Sequence, residues 1–170
     1  IALSYSKAGG LKPLEADMYF VPRNNNVELY FRSSANKIAL VLSLENRDII
    51  RSGAEYYLSA YSEENLPQRI PDKKNAVITG KTSLSWGLLG PGYTAEDVPF
   101  WINYNYLEEG RPYFMINFSP SKAQGDDSNF SPSVQVYFSP SQLNNFLEII
   151  EQKHLESYVD ELKVKAFTFE

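Results

Sequence analysis

The residues best suited to chemistry in this chain are aromatics, amides and a few cations at alternate positions of short strand-like runs. Phe20, Tyr30, Arg32 and Lys37 fall on one side of their runs, and Trp101, Asn103, Tyr113, Asn117 and Tyr137 on the equivalent side of later ones. Rings interleaved with amides and cations suit the stacking of unpaired bases, about 1–3 kcal/mol per base where it occurs. Arg32 and Lys37 would neutralise phosphate. The same surfaces suit sugar rings, whose C–H faces lie on aromatics while their hydroxyls bond to amides. The alternative is structural: such faces pack on each other or on a partner subunit, with tyrosine hydroxyls reaching solvent.

Catalytic chemistry finds little support. His154 is the sole histidine, and its place between Ile150 and Tyr158 on a helical stripe marks it as structural. Cysteine is absent, which removes thiolate nucleophiles, disulfides and thiolate metal sites. The carboxylate pairs Glu63-Glu64, Glu96-Asp97 and Glu108-Glu109 are neighbours in loops, a solubility pattern, whereas a glycosidase needs two carboxyls facing each other across a cleft. Asp126-Asp127-Ser128-Asn129 offers oxygen ligands but lacks the spacing of a calcium loop. No phosphate-cradling glycine loop or nucleophile elbow occurs. The expectation is a protein that is not an enzyme and has no metal and no cofactor. Lys73-Lys74 with Arg69 forms a basic cluster expected to be solvated, and Leu88-Leu89 lies in a glycine-flanked loop expected to tuck into its own core.

Composition sets the frame for these residues. Of 170 residues 43% are hydrophobic and 22% charged, ordinary for a globular chain and against disorder. The net charge of −5 weighs against non-specific attraction to nucleic acid, though a groove can be basic locally. No run approaches the roughly 18 apolar residues of a membrane span. The chain begins at Ile1 and carries no recognisable signal peptide, so a trimmed start is expected.

The elements that must hold the candidate surfaces follow from alternation. Met18–Arg23, Val27–Arg32 and Lys37–Ser43 read as a meander broken by Asn24-Asn25-Asn26 and Ser33-Ser34-Ala35-Asn36. Pairing Arg23 with Val27 and Arg32 with Lys37 puts Tyr19, Val21, Val27, Leu29, Phe31, Ile38, Leu40 and Leu42 on the core side. Phe20, Tyr30, Arg32 and Lys37 are left outside. Ser43 caps a helix carrying Ile50, Ala54, Tyr57, Leu58 and Tyr61, with a break at Gly53 followed by a strand as the rival reading. Residues 62–75 read as a linker.

In the second half Val77–Trp86 is a strand, and Phe100–Leu107 and Arg111–Phe118 flank a three-residue loop with Gly110 at the left-handed position. Pairing Leu107 with Arg111 sets Tyr104 opposite Phe114, Trp101 beside Asn117 and Asn105 beside Tyr113. Lys122 to Asn129 reads as a long mobile loop. Val134–Phe138 is a strand. Ser139-Pro140-Ser141-Gln142 then opens a helix with a capping box, continuing toward Leu162, before a last strand over Val164–Phe169.

Leu40-Val41-Leu42-Ser43 and Val136-Tyr137-Phe138-Ser139 match at an offset of about 96 residues, each with a hairpin two strands upstream. With Ala2–Lys7 as a further strand, each half reads β-β-β-β-α. The fold class is α+β: one domain over 1–170, with halves 1–62 and 76–170 joined by 63–75. Two strand–Ser–helix junctions and two hairpins in this order resemble the Whirly and Pur families of single-stranded nucleic-acid-binding proteins. The resemblance covers the order and size of elements and transfers no signature residue. It implies single-stranded nucleic acid as partner, with stacking on the outer faces. A glycan- or protein-binding module, at a cell surface, or a structural subunit of a homo-oligomer are the alternatives.

Overall fold

The computed structural model describes residues 2–90 and 92–167, with Phe167 only as part of its helix. The strands are β1 (Ala2–Ser6), β2 (Gly10–Leu14), β3 (Ala16–Val21), β4 (Asn26–Ser33), β5 (Asn36–Leu42), β6 (Ile78–Gly87), β7 (Tyr93–Tyr106), β8 (Pro112–Phe118), β9 (Lys122–Ala123), β10 (Asp126–Phe130) and β11 (Val134–Phe138). The helices are α1 (Leu44–Ser62), α2 (Pro140–Ile149) and α3 (Gln152–Phe167). Nine strands form one antiparallel sheet in the order β2-β1-β11-β8-β7-β6-β5-β4-β3, and β9 and β10 pair separately. The architecture is α+β, with α1 packed on β5, β6 and β7 and α2 on β8 and β11.

Alternation sets most of the registers. Arg32 pairs with Lys37 and Phe31 with Ile38, and Tyr104 with Phe114 and Ile102 with Ile116, as the short loops require. Val27, Ile38, Leu42, Leu84, Ile102, Phe114, Phe118 and Val134 all end on the helix side, at 1% exposure or less. The sheet is strongly concave on that side: β4 and β5 share a hollow with β8 and β11, although β6 and β7 lie between them in the sheet. Its two edge strands, β2 and β3, are consecutive in the chain and separated by Glu15 alone.

One register departs from expectation and moves a candidate site residue. In the β3–β4 pair Val21 meets Asn26, Phe20 meets Val27 and Tyr19 meets Glu28. Pro22 has no N–H to donate, and a longer turn over 22–25 is held by the Asn24 N–H to the Val21 carbonyl and by the Asn26 N–H to Asn24 Oδ1. The shift is odd, so it reverses both faces of β3. Phe20 and Met18 join the core and Tyr19 turns outward.

α1 and α2 both start with capping boxes. Ser43 Oγ accepts from the Asn46 N–H, and Asn46 Oδ1 accepts from the Ser43 N–H; Ser139 and Gln142 repeat the exchange. α1 runs unbroken through Gly53. A Cβ there would lie 2.9 Å from Ile102 Cγ2 and 3.1 Å from Ile78 Cγ2, so the glycine admits the sheet against the helix. Gly53→Ala gains about 1 kcal/mol of helix propensity. The clash outweighs this, and the variant should lose about 1–2 kcal/mol net in urea unfolding.

The continuous C-terminal helix expected past Ser139 is instead two helices, because the chain turns at Ile150 and Glu151. Residues 164–167 are helical rather than a strand, and 168–169 lie outside the described residues. Residues 122–130 form the β9–β10 hairpin rather than a mobile loop; its Ala123 is buried and the Gln124 N–H bonds to the Thr94 carbonyl. β1 pairs with β11 and β2, at the opposite side of the sheet from β3, so the first half contributes three adjacent strands before α1. Ser62 ends α1, and the linker over 63–75 is irregular except for a short turn at Lys73–Asn75; it is anchored, because Tyr104 and Tyr106 donate to the carbonyls of Pro67 and Leu66.

Tyr57 sits at 1% exposure in the centre of α1's buried face and donates to the Pro112 carbonyl at 2.8 Å. Burial raises its phenol well above the usual tyrosine value, and burial raises Tyr104 too. The folded state therefore holds these protons more tightly than the unfolded one. The resulting stability is complete below about pH 10 and is lost as pH rises beyond it. Denaturant unfolding should show a steep alkaline decline, and Tyr57→Phe should flatten it by about 1.4 kcal/mol per pH unit.

Candidate functional site

Eight of the nine candidate residues fall into two groups. Tyr30, Arg32 and Lys37 come together on the outer face of β4 and β5. Tyr30 and Arg32 are exposed and Lys37 is half-buried. Phe20 is not with them; the exposed Tyr19 is, edge-on to Tyr30 with ring centroids 5.5 Å apart. Tyr30 donates to Glu28 Oε2 at 2.7 Å, and that bond raises its phenol above the usual range.

The second group is closed. Trp101 and Tyr137 are buried around Met115, with Leu3 and Tyr5 of β1, Tyr113, Leu107 and Ala76 packed over them. The β1–β2 hairpin reaches the β7–β8 turn, where the Leu11 N–H bonds to Glu108 Oε1 at 2.7 Å. Tyr5 meets Tyr137 edge-on at 6.2 Å, and burial raises the Tyr137 phenol. Asn103, at 1% exposure, accepts from Arg69 and donates to Asn75 Oδ1 and to the Asn75 carbonyl. Asn117 and Tyr113 are half-buried. The strand pairing expected here is observed, and the chain's own N-terminal hairpin and linker pack over this face. His154 is exposed on α3 rather than part of a packed stripe. Arg69 is not simply solvated: it lies over the Tyr104 ring at 5.2 Å. Among the described residues no group of three or more His, Cys, Asp or Glu side chains could hold a metal ion.

The site that sequence reasoning missed is on the concave side. A hollow of about 440 Å³ opens between the sheet and α2. Leu40 and Leu42 of β5, Phe118 of β8, Phe138 of β11 and Ile50 of α1 form its floor, all buried. Met18 and Leu29 form one wall, and Phe146 of α2, stacked on Phe138 at 4.9 Å, forms the roof. Its polar lining side chains are Gln142 and Asn145. The mouth lies where lining residues reach solvent: Asn145 and Ile149 of α2 face Leu14 and Ala16 at the β2–β3 corner. These positions read individually as core, and only the curvature of the sheet leaves space between them.

The volume matters energetically. A sealed apolar void costs about 24 cal/mol per Å³, and because this hollow is open at its mouth only its innermost part bears such a cost. An apolar occupant removes the penalty, whereas the lining offers water few partners.

The C-terminal end of α2 is tied down by a buried cation. Arg47, at 3% exposure, donates to the Ile150 carbonyl at 2.8 Å, to the Asn25 carbonyl at 2.7 Å and to Gln152 Oε1 at 2.8 Å. Burial lowers its pKa from the usual arginine value. One side chain thus joins α1, the β3–β4 turn and the α2–α3 junction beside the hollow.

A family model described as "Uncharacterised Treponema protein" matches residues 2–157. An uncharacterised protein of Treponema pallidum (strain Nichols) is 24% identical over 160 residues, 94% of this chain. The chain spans 57% of that relative's length. No solved structure matches.

Proposed function

This chain belongs to the family of uncharacterised Treponema proteins matched over residues 2–157, and we propose that it is a non-enzymatic binding protein for an apolar chain, such as a fatty acyl group. The supporting observation is the 440 Å³ apolar hollow, open at one end beside α2. Its volume lies within the range of small-molecule sites, and its lining pairs an apolar floor with two amides at the mouth, which suits a hydrocarbon tail with a polar head. Among the described residues no helix is long and apolar enough to cross a membrane.

Titration with a fluorescent polyene fatty acid tests this reading. Saturable uptake of about one molecule per chain, reversed by palmitate and unaffected by salt, is expected, because apolar contact releases no counterions. Absence of saturation, or displacement by a single-stranded oligonucleotide instead, would remove it.

The single-stranded nucleic-acid reading rests on the exposed Tyr19–Tyr30 pair with Arg32 and Lys37, since Phe20, Trp101 and Tyr137 lie inside. Steeply salt-dependent binding of a labelled strand, lost in Tyr30→Ala, would favour it over the hollow. The two Ser-capped junctions, at Ser43 and Ser139, support a further reading of the domain as a duplicated strand–helix unit to which the β1–β2 hairpin was added.

A further inference from the structure

We infer that the β6–β7 loop is a lipid-surface contact that brings the mouth of the hollow to a bilayer; this rests on the acyl-binding reading. Leu88 and Leu89 are 67% and 93% exposed at the tip of the longest hairpin of the sheet. The chain comes close to itself at the base of the loop. The Gly92 N–H bonds to the Trp86 carbonyl at 2.9 Å, and a Cβ at Gly87 would lie 2.1 Å from the Gly90 carbonyl oxygen. The exposure of the two leucines shows that they do not fold back onto the core.

Three features at the base fit a headgroup region. Tyr93 stacks on Trp86 at 5.8 Å and is 40% exposed, and rings with a polar tip are enriched at that depth. Lys37 pairs with Gly87 across the sheet, and Arg32 pairs with Lys37, so two cations stand beside the loop. A groove lined by Arg32 and Lys37 together with Glu15 and Asp17 shares Leu14, Ala16 and Phe31 with the apolar hollow. A groove of mixed charge thus joins Arg32 and Lys37 to the mouth. Two leucines are too small a patch for a stable protein interface, which needs on the order of 1,000 Å², and as a lipid contact they give shallow, reversible insertion that needs the flanking ring and cations as a second signal.

The test is co-sedimentation with phosphatidylcholine vesicles containing phosphatidylglycerol, for the wild type, a Leu88→Ser/Leu89→Ser variant and Leu162→Ser as an exposed-leucine control on α3. Fatty-acid uptake is titrated without vesicles in parallel. The wild type and the control should bind vesicles, and the loop variant should bind about thirtyfold more weakly or worse with its fatty-acid uptake intact. Equal vesicle binding by the loop variant and wild type, or no binding by wild type, overturns the proposal, whatever the uptake titration returns. So does a concentration-dependent mass that the loop substitutions abolish, which would assign the leucines to self-association. Loss of uptake in the wild type sinks the acyl reading separately.

Discussion

Met18→Trp is expected to reduce fatty-acid affinity by about a hundredfold while leaving the chain folded. Met18 lines the hollow from β3 and is only partly buried, so a larger ring can turn into the free space without displacing packed neighbours. Each methylene buried in an apolar site contributes about 0.8 kcal/mol. An indole that denies room to four of them removes about 3 kcal/mol, or about two decades of affinity. Overpacking a filled core costs about 1–3 kcal/mol, whereas filling a void recovers contacts. The thermal midpoint should therefore hold or rise as uptake falls. Calorimetry and the polyene titration on one preparation separate the two effects. A fall in both would mean that Met18 is ordinary core.

Arg47→Leu carries the second large effect. The guanidinium has only carbonyl and amide acceptors among its hydrogen-bond partners, so its removal strands the Ile150 and Asn25 carbonyls in a buried setting. Bonds from a charged donor contribute about 1.5–3 kcal/mol each, and orphaned acceptors add their own desolvation cost. The expected loss is about 3–5 kcal/mol, read as a lower urea midpoint. Arg47→Lys keeps the charge but not the fork that spans three elements, and should lose nearly as much. Because Arg47 holds the end of α2 while Ile149 lines the hollow, hydrogen exchange in α2 should quicken more than in α1. Uniform quickening would show that the network stabilises the fold without bearing on the roof.

Both positions show where sequence reasoning reaches and where it stops. Hairpins bounded by short loops were legible: the β4–β5 and β7–β8 registers follow from alternation that tolerates only one pairing. The capping serines at Ser43 and Ser139 were legible too, since the signal is local, although the box partner Asn46 at the first was not. β3 was not, because Met18-Tyr19-Phe20-Val21 is apolar on both faces and the choice falls to a turn fixed by Pro22 and by Arg47 on the Asn25 carbonyl. The turn between α2 and α3 has the same character: Leu147, Ile150 and Leu155 continue a helical stripe, and a cation on α1 holds the Ile150 carbonyl where the helix ends.

The outer face over β7, β8 and β11 has the polarity of a binding surface. What buries it, the β1–β2 hairpin, lies about a hundred residues away in the chain, and its Gly10-Leu11-Lys12-Pro13-Leu14 strand carries little alternation. The hollow was invisible for the opposite reason. Each lining residue is an ordinary core residue, and the space exists only because strands separated by β6 and β7 curve toward each other.

The most direct test of the acyl-chain reading is displacement of the polyene probe by octanoate, decanoate, dodecanoate and tetradecanoate at fixed ionic strength. A hydrocarbon seat predicts that affinity rises about fourfold per methylene until the hollow is full, then levels, with no dependence on salt. Affinity that is flat with chain length, or that collapses as salt is raised, would contradict it and return the function to the exposed Tyr30, Arg32 and Lys37 surface.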